Sequence, residues 1–281
     1  MSKISSVQAR LQSQLRSSIG MRGDPPAPCD QPETAYFDPN SVVRAVHSDL
    51  PSMLIGGLAS LLFQMLHPLA MAGVAQHSRY QEDPLGRLER TATFLGITTF
   101  GSREDAERSI RRIRAIHGTV TGIASDDRPY SANDPDLLTW VHCTEVYSFL
   151  TASLAYGTNS LDAAKQDAYI REMATVAYAL GAEEVPLSVA ELHEYLFAIR
   201  PQLAFTDEAR VARNFVLKGV RKWPHEVATY ATLIAAAQGI LPPWARRQLR
   251  LVSLPASNRL IVRPLALSLC GALRWIAQPV D

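Results

Sequence analysis

The sequence predicts an all-α fold, a single-domain bundle of packed helices, on three observations. Apolar residues recur at helical spacing, as in Ala106, Ile110 and Ile113. Helix-start signals stand ahead of such runs: Ser102, Asp134 followed by Pro135, and Ser188 with Glu191 after it. Strictly alternating patterns are nearly absent, and Gly and Pro fall mostly at the ends of helical runs.

Taken in order, Ile4 to Ile19 reads as an exposed helix, and Gly23 to Asp30, rich in proline, as irregular chain. Residues 1–36 are thus expected to form a partly irregular arm before a helical domain over 37–281. Met53 to Ala75 is long enough to span a bilayer and carries no formal charge. Gln64, His67 and Pro68 in its middle favour a helix buried in the protein, begun near Pro51 and bent or ended near Pro68. Arg87 to Gly96 reads as the next helix, with Arg87, Thr91 and Phe94 on neighbouring faces. Ser102 caps a helix running to about Gly118, whose polar face carries Arg103, Arg108, Arg111, Arg112 and Arg114, with Glu104 and Glu107 as local partners. Pro129 to Asn133 is expected as a loop. Asp134 begins a helix to Gly157, Ser160 one to Gly181, and Ser188 with Glu191 forms a capping box for another. Further helices are expected near Thr206–Lys222, His225–Gly239, Pro242–Leu251 and Leu265–Ile276.

Composition narrows the function. A net charge of +1 over 281 residues is not that of a dedicated nucleic-acid binder. The three cysteines are far apart and make no metal-binding spacing, which suits a reducing compartment. Without an apolar leader in the first residues, a cytoplasmic protein with no stable membrane insertion is expected. There is no HExxH pair, no GxSxG elbow and no Gly-rich phosphate loop after a strand.

The histidines are the chemical stock. His117 ends the apolar face of its helix and precedes Gly118, where a flat group can approach the backbone. A neutral imidazole on such a face suits axial ligation of haem iron, and equally suits a core histidine bonded to a carbonyl. His67 and His77, on or just after the buried helix, suit either a distal pocket or a satisfied polar position near a bend. Trp140 suits a porphyrin face or the core. Arg87 and Arg90 suit carboxylate recognition, because the guanidinium fork pairs with carboxylates in bidentate fashion, or a solvated helix surface.

The stretches QMLHPLAMAGVAQHS from Gln64, GRLERTATFLGITTFG from Gly86, IHGTVTG from Ile116, RPYSANDPDLLTWVH from Arg128 and LPPW from Leu241 resemble the MpaB-type oxygenase family, which includes the latex-clearing rubber oxygenases. The resemblance implies a helical fold holding haem b (iron protoporphyrin IX), with His117 as the proximal iron ligand and Arg87 and Thr91 in the haem pocket. It makes His67 and His77 distal-pocket candidates. Arg90 stands where latex-clearing relatives can have a lysine that caps the iron, and an arginine, which stays protonated, is a poor iron ligand. The stretch Leu69–Val74, which matches the region of an acidic residue in those relatives, is apolar, so rubber cleavage is the weaker expectation. The resemblance implies a haem-dependent oxygenase or peroxygenase acting on a small or apolar organic substrate with oxygen or peroxide. A haem carrier or sensor without turnover, and a cofactor-free helical scaffold, are the alternatives.

Overall fold

A computed structural model describes Gln8 and residues 11–14, 28–219, 224–251 and 258–278. Most of the expected helix at Ile4–Ile19, most of the irregular stretch from Gly23, and the expected helix end at Lys222 lie outside the described residues. The described elements are α1 (Val42–His47), α2 (Leu50–Gln64), α3 (Pro68–His77), α4 (Pro84–Phe100), α5 (Arg103–His117), β1 (Thr121–Ile123), β2 (Pro129–Ser131), α6 (Pro135–Tyr156), α7 (Ala163–Leu180), α8 (Val189–Ala198), a 3-10 turn (Arg200–Gln202), α9 (Asp207–Lys218), α10 (Pro224–Ile240), α11 (Pro243–Gln248), a π turn (Asn258–Val262) and α12 (Arg263–Ala277). The fold is all-α, as the periodicity predicts.

The caps explain the boundaries. Asp134 accepts hydrogen bonds from Asp136 N and Leu137 N at 2.9 and 3.4 Å, satisfying two of the unpaired amides at the start of α6. Asp162, not Ser160, caps α7 through Lys165 N at 2.8 Å. That helix ends at Gly181, whose φ of +107° lets its amide and that of Ala182 turn back onto Tyr178 O and Ala177 O. Ser188 accepts from Glu191 N, while the Glu191 carboxylate reaches back to Leu187 N.

The apolar run from Met53 to Ala75 forms two helices, bent by 105° between Gln64 and Pro68. Pro68 has no N–H to continue the ladder and forces His67 into an extended conformation, φ −91° and ψ 115°. The expected loop at Pro129–Asn133 is a correction: its first three residues pair antiparallel with β1, Gly122 opposite Tyr130. Asp127, at φ 64°, closes the turn, and Pro129 occupies a strand end where its missing N–H costs nothing.

At the centre, α2 lies along α6, with α7, α8, α10 and α12 around the pair. Helix α6 buries residues on several sides, including Trp140, Cys143, Val146, Phe149 and Ala152, so it has no strongly polar face. Contact between α2 and α6 is close because Gly56 has no side chain: a Cβ there would lie 2.6 Å from the Phe149 ring and 3.2 Å from Ser148 O. The arm reaches this body earlier than residue 37. Cys29 N donates to Phe100 O and Arg103 N to Thr34 O, both at 2.7 Å, and the Arg44 guanidinium donates to Cys29 O at 2.6 Å. Residues 28–36 are therefore docked on the α4–α5 turn.

Candidate functional site

Helices α4 and α5 pack against each other, and most of the predicted site residues stand on them. The apolar stripe of α5 runs as its spacing predicts: Ala106 and Ile110 are buried, and Ile113 and His117 are half-buried. The arginine face is solvated, with Arg108 paired to Glu104 and Asp105 at 2.5 and 2.7 Å within the helix and Arg114 donating to Ala179 O of α7 at 3.4 Å. His117 is the last residue of α5. Its Nδ1 is buried and has no hydrogen-bond partner. Burial holds its pKa below the usual histidine value, so the ring is neutral at pH 7. A second buried polar atom without a partner, Asn133 Oδ1, lies at the same helix end, where Asn133 Nδ2 donates to Arg114 O at 3.2 Å.

Arg87, in the first turn of α4, is half-buried and donates to Ser78 Oγ. Burial, with the neighbouring Arg90 charge, pushes its pKa down, and no carboxylate closes on it among the described residues. Arg90 is exposed and ion-paired with Asp83 at 3.2 Å. Thr91 is also exposed, its hydroxyl donating to Arg87 O at 3.1 Å. So α4 brings Arg87, Arg90 and Thr91 together, with only Arg87 turned partly inward.

The other predicted residues are dispersed. His67, at the α2–α3 bend, is 3 % exposed, and its Nδ1 also lacks a partner. Burial, reinforced by the Arg128 charge, lowers its pKa to about 4. His77 is exposed and fastens α3 to the β-hairpin, its Nε2 lying 3.1 Å from Thr121 O and 3.2 Å from Tyr130 Oη. Trp140 is fully buried in the core, donating through its indole N–H to Gln64 O at 3.3 Å and packing edge-on against Phe63.

Sequence reasoning passed over Glu145. It sits in the middle of α6, and burial pushes its carboxyl up to about 7. The lone carboxylate between Leu137 and Tyr156 was the available signal. Its charge bears on Tyr169, whose hydroxyl lies 3.0 Å from His47 Nε2, while His47 Nδ1 lies 2.8 Å from Thr99 Oγ1. Thr99 of α4, His47 of α1 and Tyr169 of α7 thus meet at one buried polar cluster.

Two recesses open on the surface. One, of about 400 Å³, is lined by Ser78, Tyr80, Asp207 and Glu208, so it adjoins Arg87 through its hydrogen-bond partner. The other, about 750 Å³, lies between Phe197, Arg200 and Trp244; His117 lines neither. Among the described residues no three His, Cys, Asp or Glu side chains are grouped to hold a metal ion.

The molecule is thus an all-helical domain that, among the described residues, offers from α5 a neutral imidazole with an unpartnered Nδ1 and from α4 a guanidinium without a carboxylate. Residues 44–275 match the family described as ER-bound oxygenase mpaB/B'/Rubber oxygenase, catalytic domain, and the chain belongs to that family. It is accordingly an enzyme of an oxygenase family. No match was found among curated proteins or solved structures.

Proposed function

We propose that the protein is a haem-b-dependent oxygenase or peroxygenase that oxidises a small or apolar organic molecule, with His117 as the protein ligand to iron. The observation that supports it best is the half-buried, neutral imidazole of His117, whose buried Nδ1 has no partner. An imidazole without a hydrogen-bond partner in the interior is costly unless something else bonds to it. Asn133 Oδ1, unpartnered at the same helix end, adds to the case for a bound group there. The Arg87 guanidinium, without a carboxylate among the described residues and partly desolvated, fits one of the carboxylates that haem carries. When bound, haem b supplies the iron at which oxygen or peroxide is activated.

The chain's own residues have separable parts in this reading. His117 gives up a ring lone pair, which its depressed pKa keeps available at neutral pH. Arg87, steadied by Ser78, holds an anionic group against α4. Thr91 anchors the turn that carries Arg87, and Arg90 adds positive charge from the surface. His67, neutral with a free Nδ1 in a dry setting, offers one hydrogen bond to a polar atom entering the interior. Trp140 closes the core behind it, with ring centroids 6.0 Å apart. His77 positions α3 against the hairpin.

The test is an ultraviolet–visible spectrum with a pyridine haemochrome assay on protein expressed with haem supplied, beside His117→Ala. A b-type Soret spectrum that His117→Ala loses while keeping its helical circular dichroism is the expected result. A colourless wild type, or an unchanged spectrum in the folded variant, removes this reading. A low-spin spectrum inert to oxygen and peroxide replaces it with a carrier or sensor.

A further inference from the structure

The last helix carries an apolar face that the described residues leave largely open, although at its C-terminal end Gln8 and Gln12 donate to Trp275 O and Gln278 O. Together, the π turn and α12 form 20 residues of continuous helix, Asn258–Ala277, about 30 Å long at the usual rise. Ala266, Cys270 and Leu273 make its buried stripe, toward α2 and α10. On the outward side Leu260 is 73 % exposed, Ile261 57 %, Leu265 55 % and Trp275 42 %, with Leu267 beside them. Four large apolar side chains at such exposure within about two turns, with Trp275 about two turns further along, are unusual on a surface that meets only water.

The charges around the row are of one sign. Between Asn258 and Gln278 there is no aspartate or glutamate, while Arg259 and Arg263 are exposed at the start of the helix. The remaining cation of the helix, Arg274, is turned inward: its Nε and Nη2 lie 2.6 and 2.9 Å from the two Asp49 oxygens. This pair fixes the helix to the body. Peeling α12 away to cross a bilayer would leave Asp49, 8 % exposed, without its partner, which is strongly unfavourable.

We propose that this face docks the protein on the surface of a bilayer containing anionic lipid. Leu260, Ile261, Leu265 and Leu267 enter the headgroup–acyl boundary, Trp275 sits at the interfacial level, and Arg259 and Arg263 meet lipid phosphates. The helix lies flat because its inner stripe and Arg274 hold it to α2, α10 and Asp49. A second copy of the chain fits this face less well, since two such faces offer no carboxylate to pair with the arginines.

The experiment is sedimentation of the full chain with vesicles of phosphatidylcholine alone and of phosphatidylcholine mixed with phosphatidylglycerol. Wild type is expected to sediment with the mixed vesicles and less so at high salt. The double variant Leu260→Ser, Leu265→Ser is expected to lower the partition coefficient at least about tenfold. Arg259→Gln with Arg263→Gln should lower it on the mixed vesicles only. No sedimentation with either vesicle, or equal sedimentation of the serine variant, overturns the proposal. So does a wild-type dimer that the serine variant converts to monomer without any vesicle binding, because the face is then a subunit contact. Bromine-labelled lipid gives a readout that needs no apolar substitution: it should quench wild-type tryptophan emission more than that of Trp275→Phe, and equal quenching overturns the proposal.

Discussion

Arg274 and Asp49 close a two-pronged ion pair between residues 225 apart in the chain, tying the last helix to the start of α2. The same guanidinium donates to Tyr156 O at the end of α6. Burial alone would raise the Asp49 pKa, but hydrogen bonds from Arg274 and Ser52 outweigh it and hold the carboxyl below its usual value.

Breaking that pair should cost more than a surface ion pair does. Arg274→Gln leaves a buried carboxylate without its cation, and a loss of about 2–4 kcal/mol is expected. Urea denaturation at neutral pH measures it. A loss below about 0.5 kcal/mol would show the pair to behave as an exposed one.

Gly56 sets the spacing of the two central helices. In Gly56→Ala the new methyl meets the Phe149 ring at 2.6 Å, which can swing aside, but also Phe149 Cα at 3.1 Å and Ser148 O at 3.2 Å, which cannot. A destabilisation of about 1–3 kcal/mol is expected, partly relieved by adding Phe149→Leu. Unchanged thermal stability of the single variant would contradict the close approach of α2 and α6.

The pH dependence has two limbs with opposite causes. Burial raises Glu145 from 4.5 to about 7, so its contribution is complete below the unfolded value and is lost as pH rises through about 7. His47, His67 and His142 are lowered by burial from 6.5 to about 3, about 4 and about 4. Their contribution is full above the unfolded value and is lost as pH falls toward those figures. Glu145→Gln should therefore stabilise the protein by on the order of 2 kcal/mol at about pH 8 and leave it nearly unchanged at about pH 4. Chemical denaturation at the two pH values decides, and a pH-independent effect would mean that Glu145 does not titrate in this range.

Arg87 and Arg90 are three residues apart yet should behave differently. Arg87→Ala removes a half-buried cation without a carboxylate partner and should speed haem transfer to apomyoglobin by about tenfold, whereas Arg90→Ala removes an exposed partner of Asp83 and should change it little. Equal rates for both variants would leave Arg87 as a surface residue.

Much of the candidate site was legible because helical spacing is local. His117 follows Ile113 and Ile110 at one helical stripe, and Arg87 and Thr91 share a face one turn apart. His77 and Trp140 were less legible: one fastens the hairpin through Tyr130, the other donates to Gln64 O, and neither partner is near in sequence. Glu145 was missed because its carboxyl is perturbed by three-dimensional burial, not by any neighbour in the chain.

What the sequence by itself determined is most of the helices from α2 onward, though not α1, their caps at Ser102, Asp134 and Ser188, the break at Pro68, and the family, all of which follow from hydrogen bonds and steric limits within a few residues or from ordered motifs. The 105° bend, the Arg274–Asp49 pair, the meeting of Thr99, His47 and Tyr169 and the open face of α12 were decided only by tertiary structure. Each depends on which surfaces pack together and which groups lose their water, and residue spacing along one helix carries no information about either.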